Sequence, residues 1–158
     1  MDESKVAKRG DKRPAAPIRV LLVEDEEMVR SVARRVLEQN QMRVVEAENG
    51  TKALAVFQAS PADFDVVVSD VVMPGMNGPA LVDLLLLTRP DLKVLYMSGY
   101  ANDALVNHSV AGRGFVFLQK PFAPNELVRK VRELAALAVK DAPISTRAPL
   151  SSSSGRRS

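Results

Sequence analysis

Five short apolar runs, "IRVLLV" from residue 18, "MRVVEA" from 42, "DVVVS" from 65, "KVLYMS" from 93 and "GFVFLQ" from 114, alternate with segments of helical spacing. Their β-branched and aromatic content and unbroken hydrophobicity are those of strands covered on both faces. Between them, Met28, Val29, Val32, Ala33, Val36 and Leu37 form one helical stripe, and Ala53, Leu54, Val56 and Phe57 a second. Pro79 fits the first position of a helix over "ALVDLLLLTR". Leu127, Val128, Val131, Leu134, Ala135 and Ala138 line a last helix that begins near Pro124. Residues 102–111 read as a short or strained fourth helix, because Asn and Ser interrupt the pattern. Five strands alternating with five helices predict an α/β chain with a doubly wound parallel sheet.

The ends differ in kind. Residues 1–17 carry five Lys/Arg against three acids and residues 139–158 four against one, leaving residues 18–138 with 13 against 15. The chain's net charge of +3 therefore belongs to its ends, and the part that folds is mildly acidic. Neither end has the apolar content to offset its ordering entropy, so 1–17 reads as a mobile N-terminal tail and 139–158 as a disordered Ser/Pro/Arg-rich tail. Their basic residues lack aromatic interleaving, and direct DNA binding is not expected. The longest apolar patch, "LVDLLLL" at 81–87, falls short of a membrane span, and the first residues lack the apolar core of a signal peptide. A cytoplasmic protein without membrane insertion is expected. With no cysteine and one histidine, thiolate chemistry and His-rich metal sites are excluded.

The polar residues gather where a parallel sheet places its ligands, beyond the carboxyl ends of the strands. Glu24, Asp25 and Glu26 follow the first run, Asp70 the third, Ser98 the fourth and Lys120 the fifth. Carboxylates converging there repel one another unless a cation or a proton intervenes, and an all-oxygen set selects a hard ion such as Mg²⁺. A lysine at the same edge supplies a second positive charge to an anion. These residue types describe phosphoryl transfer with a carboxylate as acceptor. Gly75 and Gly78 serve the loop backbone, and His108, away from the strand ends, reads as a surface or packing residue.

Taken together, "LLVEDEE", "VVVSDVVMPGMNG", "YMSGYA" and "FLQKPF" resemble the receiver (phosphoacceptor) domains of two-component response regulators, over about residues 18–138. The wording of "MSGYANDAL" with "FLQKPF" is most similar to receivers of hybrid sensor histidine kinases. The resemblance implies a flavodoxin-like (βα)5 fold with strand order 2-1-3-4-5, for which this family serves as a standing example. It implies phosphorylation of Asp70 by a phosphohistidine on a histidine kinase or histidine phosphotransfer protein. It further implies Mg²⁺ held by Asp25, Asp70 and the Val72 backbone carbonyl, with Glu24 acting directly or through water, and Lys120 bridging to the phosphoryl oxygens. Ser98 is implied to donate its hydroxyl to the phosphoryl group and Phe117 to turn inward as the switch aromatic, presenting a changed surface to a downstream signalling protein. Val72 and Tyr100 are implied to flank the approach of hydrolytic water and so to tune the lifetime. A cis Lys120–Pro121 bond follows from the same likeness. Glu24 stands where Asp is usual and Ser98 where Thr is usual; both keep the ligand chemistry.

These features lead to a single-domain response regulator, monomeric or weakly dimeric, with no turnover beyond its own phosphorylation and dephosphorylation. Three alternatives are set against it. A haloacid-dehalogenase-like phosphatase would also phosphorylate Asp70 but wants an acid two residues on, where Val72 stands. A nucleotide or flavin binder wants glycines where "VEDEEMV" places acids. A DNA-binding regulator wants a helix-turn-helix that the roughly 20 residues after the last helix cannot supply.

Overall fold

The computed structural model describes residues 16–99 and 115–141, with side chains to residue 137. The expected helix over 102–111, His108, Tyr100 and nearly all of both tails lie outside the described residues. Within them the chain runs β1 (Arg19–Val23), α1 (Glu27–Gln39), β2 (Arg43–Ala47), α2 (Gly50–Ala59), a 3₁₀ turn (Pro61–Asp63), β3 (Val66–Asp70), α3 (Gly78–Thr88), β4 (Lys93–Ser98), β5 (Val116–Gln119) and α4 (Pro124–Asp141). The strands form one five-stranded sheet in the order β2-β1-β3-β4-β5, every pair parallel. This is the expected doubly wound arrangement, with β1 and β3 adjacent and the order reversing between them.

Alternation along each strand sends side chains to two separate apolar layers. Leu21, Val23, Val67, Val94 and Tyr96 pack with Ala53 and Phe57 of α2 and Leu81 and Leu85 of α3. Val20, Leu22, Val66, Val68, Leu95 and Met97 pack on the other face with Ala33 and Leu37 of α1 and Leu127 and Val131 of α4. The central strand β3 is buried throughout, whereas β2, at one edge, alternates exposed and covered residues.

The helices start where local chemistry dictates. Asn49 and Asn77 each accept a hydrogen bond at 2.8 Å from the backbone N–H three residues on, capping α2 and α3. With Asn77 as cap, α3 begins at Gly78, and Pro79 stands second rather than first. One expectation fails in part. Ala33 and Leu37 of the α1 stripe are buried, but Met28 is 81% and Val32 53% exposed. These two stand one turn apart on α1, and helical periodicity marks them as apolar without saying that the sheet covers them.

Candidate functional site

Among the described residues the buried polar ones are Glu24, Ser69, Asp70 and Ser98, and three of them sit at the carboxyl ends of β1, β3 and β4. Glu24 follows β1 directly and is fully buried, its backbone N–H donating to the Ala47 carbonyl at 3.2 Å. Asp70 is the last residue of β3, and Val71 continues toward β4 by donating to the Met97 carbonyl at 3.0 Å. Lys120 follows β5, its backbone N–H donating to the Ser98 carbonyl at 2.8 Å and its bond to Pro121 cis, as expected.

The ammonium of Lys120 lies between two carboxylates. It donates to Glu24 Oε1 at 2.9 Å and to Asp70 Oδ2 at 3.2 Å, while Glu26 Oε1 stands 3.9 Å away. The second Glu24 oxygen accepts the backbone N–H of Glu26, the cap of α1, at 3.0 Å. Both oxygens of Glu24 are thus engaged. Sequence alone placed Glu24 at this edge but not this double engagement.

Carboxylate oxygens of Glu24, Asp25 and Asp70 all lie within 4.8 Å of one another. Burial and the neighbouring Glu24 charge push the Asp70 carboxyl up to about 7, against an opposing pull from Lys120. Burial draws Lys120 down, but its hydrogen bond to Glu24 and the charges of Asp70 and Glu24 outweigh that, and its pKa rises. One ammonium therefore faces an excess of carboxylate. An all-oxygen donor set with surplus negative charge fits a hard divalent cation.

A pocket of about 650 Å³ opens over Asp70 and Lys120, walled by Met28, Val29 and Val32 of α1 and by Val72 and Phe122. The exposed apolar residues of α1 belong to this wall. Val72, two residues past Asp70, is 57% exposed. Beyond it Gly75 adopts φ +78°, and the Gly78 N–H donates to the Val71 carbonyl at 2.8 Å. A Cβ at 78 would stand 2.3 Å from the Asp70 carbonyl oxygen, so only glycine lets α3 begin this close to Asp70.

Phe117 is half-buried, with its ring centroid 5.7 Å from that of Tyr96. The pairs Tyr96↔Phe117 and Ser98↔Gln119 set Phe117 beside β4, two pairs back from Ser98. Of the sequence-derived candidates, Asp25, Asp70, Val72 and Lys120 line one pocket, and Glu24 joins them through Lys120; Ser98 ends β4 beside Lys120, and Phe117 packs against the layer that holds Tyr96.

Fold and site together define an α/β protein with an acid-lined switch point and a lysine aimed into it. Residues 20–132 match the response regulator receiver domain family, and the chain belongs to that family. It is 43% identical over 132 residues to the sensor kinase CckA of Brucella abortus, covering 84% of this chain and 14% of that protein. To the response regulator receiver protein CpdR of the same organism it is 33% identical over 120 residues, 76% of this chain and 98% of CpdR. Among solved structures, the receiver domain of the hybrid histidine kinase CckA superposes with a TM-score of 0.64 at 34% identity, covering 74% of this chain and 98% of that one. A receiver domain protein from Clostridium thermocellum superposes at 0.73 and 21% identity, over 78% of this chain and 98% of that one, a likeness of fold. The resemblance to receivers of hybrid kinases holds, and the phosphatase alternative finds no support. No helix among the described residues is long and apolar enough to cross a membrane.

Proposed function

We propose that this receiver accepts a phosphoryl group on Asp70 from a phosphohistidine of a histidine kinase or histidine phosphotransfer protein. The observation that carries the reading is Asp70 itself, buried at the end of β3 with Lys120 Nζ 3.2 Å away and the Glu24 and Asp25 carboxylates beside it. In the transfer, an Asp70 oxygen forms a bond to phosphorus as the phosphorus–nitrogen bond of the donor breaks, its electron pair returning to the imidazole.

Asp25, Asp70 and the Val72 carbonyl would hold Mg²⁺, with Glu24 acting through water because its own oxygens serve Lys120 and the α1 cap. When bound, such an ion neutralises charge on the phosphoryl oxygens. Lys120 is already poised within reach of Asp70 and would shift to the new oxygens, which attract it more strongly than a single carboxylate. Ser98 would donate its hydroxyl to the phosphoryl group, and Phe117 would complete its burial in the layer beside Tyr96, changing the β4–β5 surface offered to a downstream protein. Val72 and Tyr100 would bar water from the line of attack. Residues 18–138 form the receiver unit in this reading, which works in the cytoplasm with no catalysis beyond gain and loss of its own phosphoryl group.

The test is Asp70→Asn. An amide cannot form the acyl phosphate, so labelling by acetyl phosphate or by a phosphohistidine donor with Mg²⁺ is expected to vanish while the circular dichroism stays native. Stoichiometric labelling of that variant would refute the assignment.

A further inference from the structure

Only Glu24, Asp25 and Glu26 separate the end of β1 from the start of α1. The Glu24 carbonyl cannot join the helix's own ladder, which begins with Arg30 N–H donating to the Glu26 carbonyl at 2.9 Å. It is claimed instead by a side chain one and a half turns along. Arg30 Nη1 donates to the Glu24 carbonyl at 2.9 Å, and the same guanidinium donates through Nε to Glu46 Oε1 at 3.0 Å. Glu46 stands opposite Leu22 in the β1–β2 register, and its other oxygen accepts from Arg34.

The two arginines differ in what they reach. Arg30 is 16% exposed and bridges strand to loop, whereas Arg34 is 47% exposed and touches Glu46 and Glu38 without contacting the loop. The carbonyl Arg30 grips belongs to the peptide joining Glu24 to Asp25. Fixing the plane of that peptide fixes the direction in which Asp25 leaves the chain, since a peptide rotates as a rigid unit. A guanidinium suits the task because its fork serves two acceptors at a set angle, which a lysine cannot do.

We propose that Arg30, braced by Glu46, is a positioning residue for the divalent-cation site, holding Asp25 at the distance from Asp70 that an ion requires. The inference rests on the reading of Glu24, Asp25 and Asp70 as a Mg²⁺ site. Groups that orient metal ligands commonly carry a tenfold or greater share of the affinity. A bracket that merely tied α1 to β2 would make Arg30 and Arg34 equivalent, because both hold Glu46.

The experiment is calorimetric titration of the full chain with Mg²⁺, alongside the rate of acetyl phosphate labelling against Mg²⁺ concentration. Arg30→Met is expected to bind about tenfold more weakly than wild type, with the limiting rate at saturating Mg²⁺ retained. Arg34→Met is expected to bind as wild type, and Arg30→Lys to restore little. Equal affinity in wild type and Arg30→Met overturns the proposal, and so does an equal loss in Arg34→Met. Should Arg30→Met not fold, Glu46→Gln decides: it keeps an acceptor but loses the brace's charge, and undiminished Mg²⁺ affinity there overturns the proposal. A wild type that takes no Mg²⁺ defeats the reading of the site, and the inference with it; a wild type that binds while the variants bind equally defeats the inference alone.

Discussion

Two regions of one strand follow opposite rules. Val66, Val67 and Val68 of β3 are wholly buried between the two apolar layers, and removing each from water contributes on the order of 1.5–3 kcal/mol. Two residues further on, Asp70 is buried as well, but there burial costs free energy, because a second carboxylate lies close and one ammonium serves both. The layers hold the strands at fixed spacing, and the edge uses that rigidity to keep like charges together. Stability and function are thus segregated along a few ångströms of backbone, with the apolar region offsetting what the acidic region costs.

The hardest blow to this contrast would fall on the layers. Leu21→Ala empties a fully buried position and is expected to lower stability by about 2–5 kcal/mol in urea unfolding, with Mg²⁺ affinity retained by the folded protein. A loss of affinity on the same scale would show that the regions are not separable. Mg²⁺ at a hundredfold excess over its dissociation constant should add about 2.7 kcal/mol to the wild type, reversibly on chelation; no such gain would mean the acid cluster is not relieved by a cation.

A smaller effect sharpens the comparison by pH. The Asp70 carboxyl rises from its ordinary 3.8 to about 7 on folding. Between those values the native state holds a proton that the unfolded chain has released, so metal-free stability falls as pH rises through the window. Asp70→Asn removes this penalty, and its melting temperature should exceed that of the wild type by a few degrees at pH 8 and converge with it near pH 4. A gain independent of pH would locate the strain elsewhere. The smallest expected change concerns lifetime: Val72→Asn with Tyr100→Ala should hasten decay of phospho-Asp70 by opening the water approach, and unchanged decay would remove both residues from that role.

The fold was legible because parallel β/α alternation writes itself in unbroken apolar runs, and the acids that follow those runs mark the edge. Less legible were features that depend on direction rather than residue type. Met28 and Val32 carry the periodicity of a core stripe yet wall the pocket, because a hydropathy pattern does not record where the sheet stops. Arg30 looks like any solvated arginine on a charged helix; nothing in its spacing reveals a bond to a carbonyl six residues back. Glu24 was found as a site acid, but its complete burial and its bond to Lys120, 96 residues away, are long-range features that no local pattern encodes.

The approach of Gly78 to the Asp70 carbonyl has a bearing on how the sequence can drift. The acceptor's own side chain is free to be tested by substitution, but its backbone leaves room only for a residue eight positions away that bears no functional group at all. In a saturation library scored for phosphate uptake, position 78 should therefore behave as though it were part of the acceptor, closed even to alanine, with every inactive clone at that codon still carrying an intact Asp70.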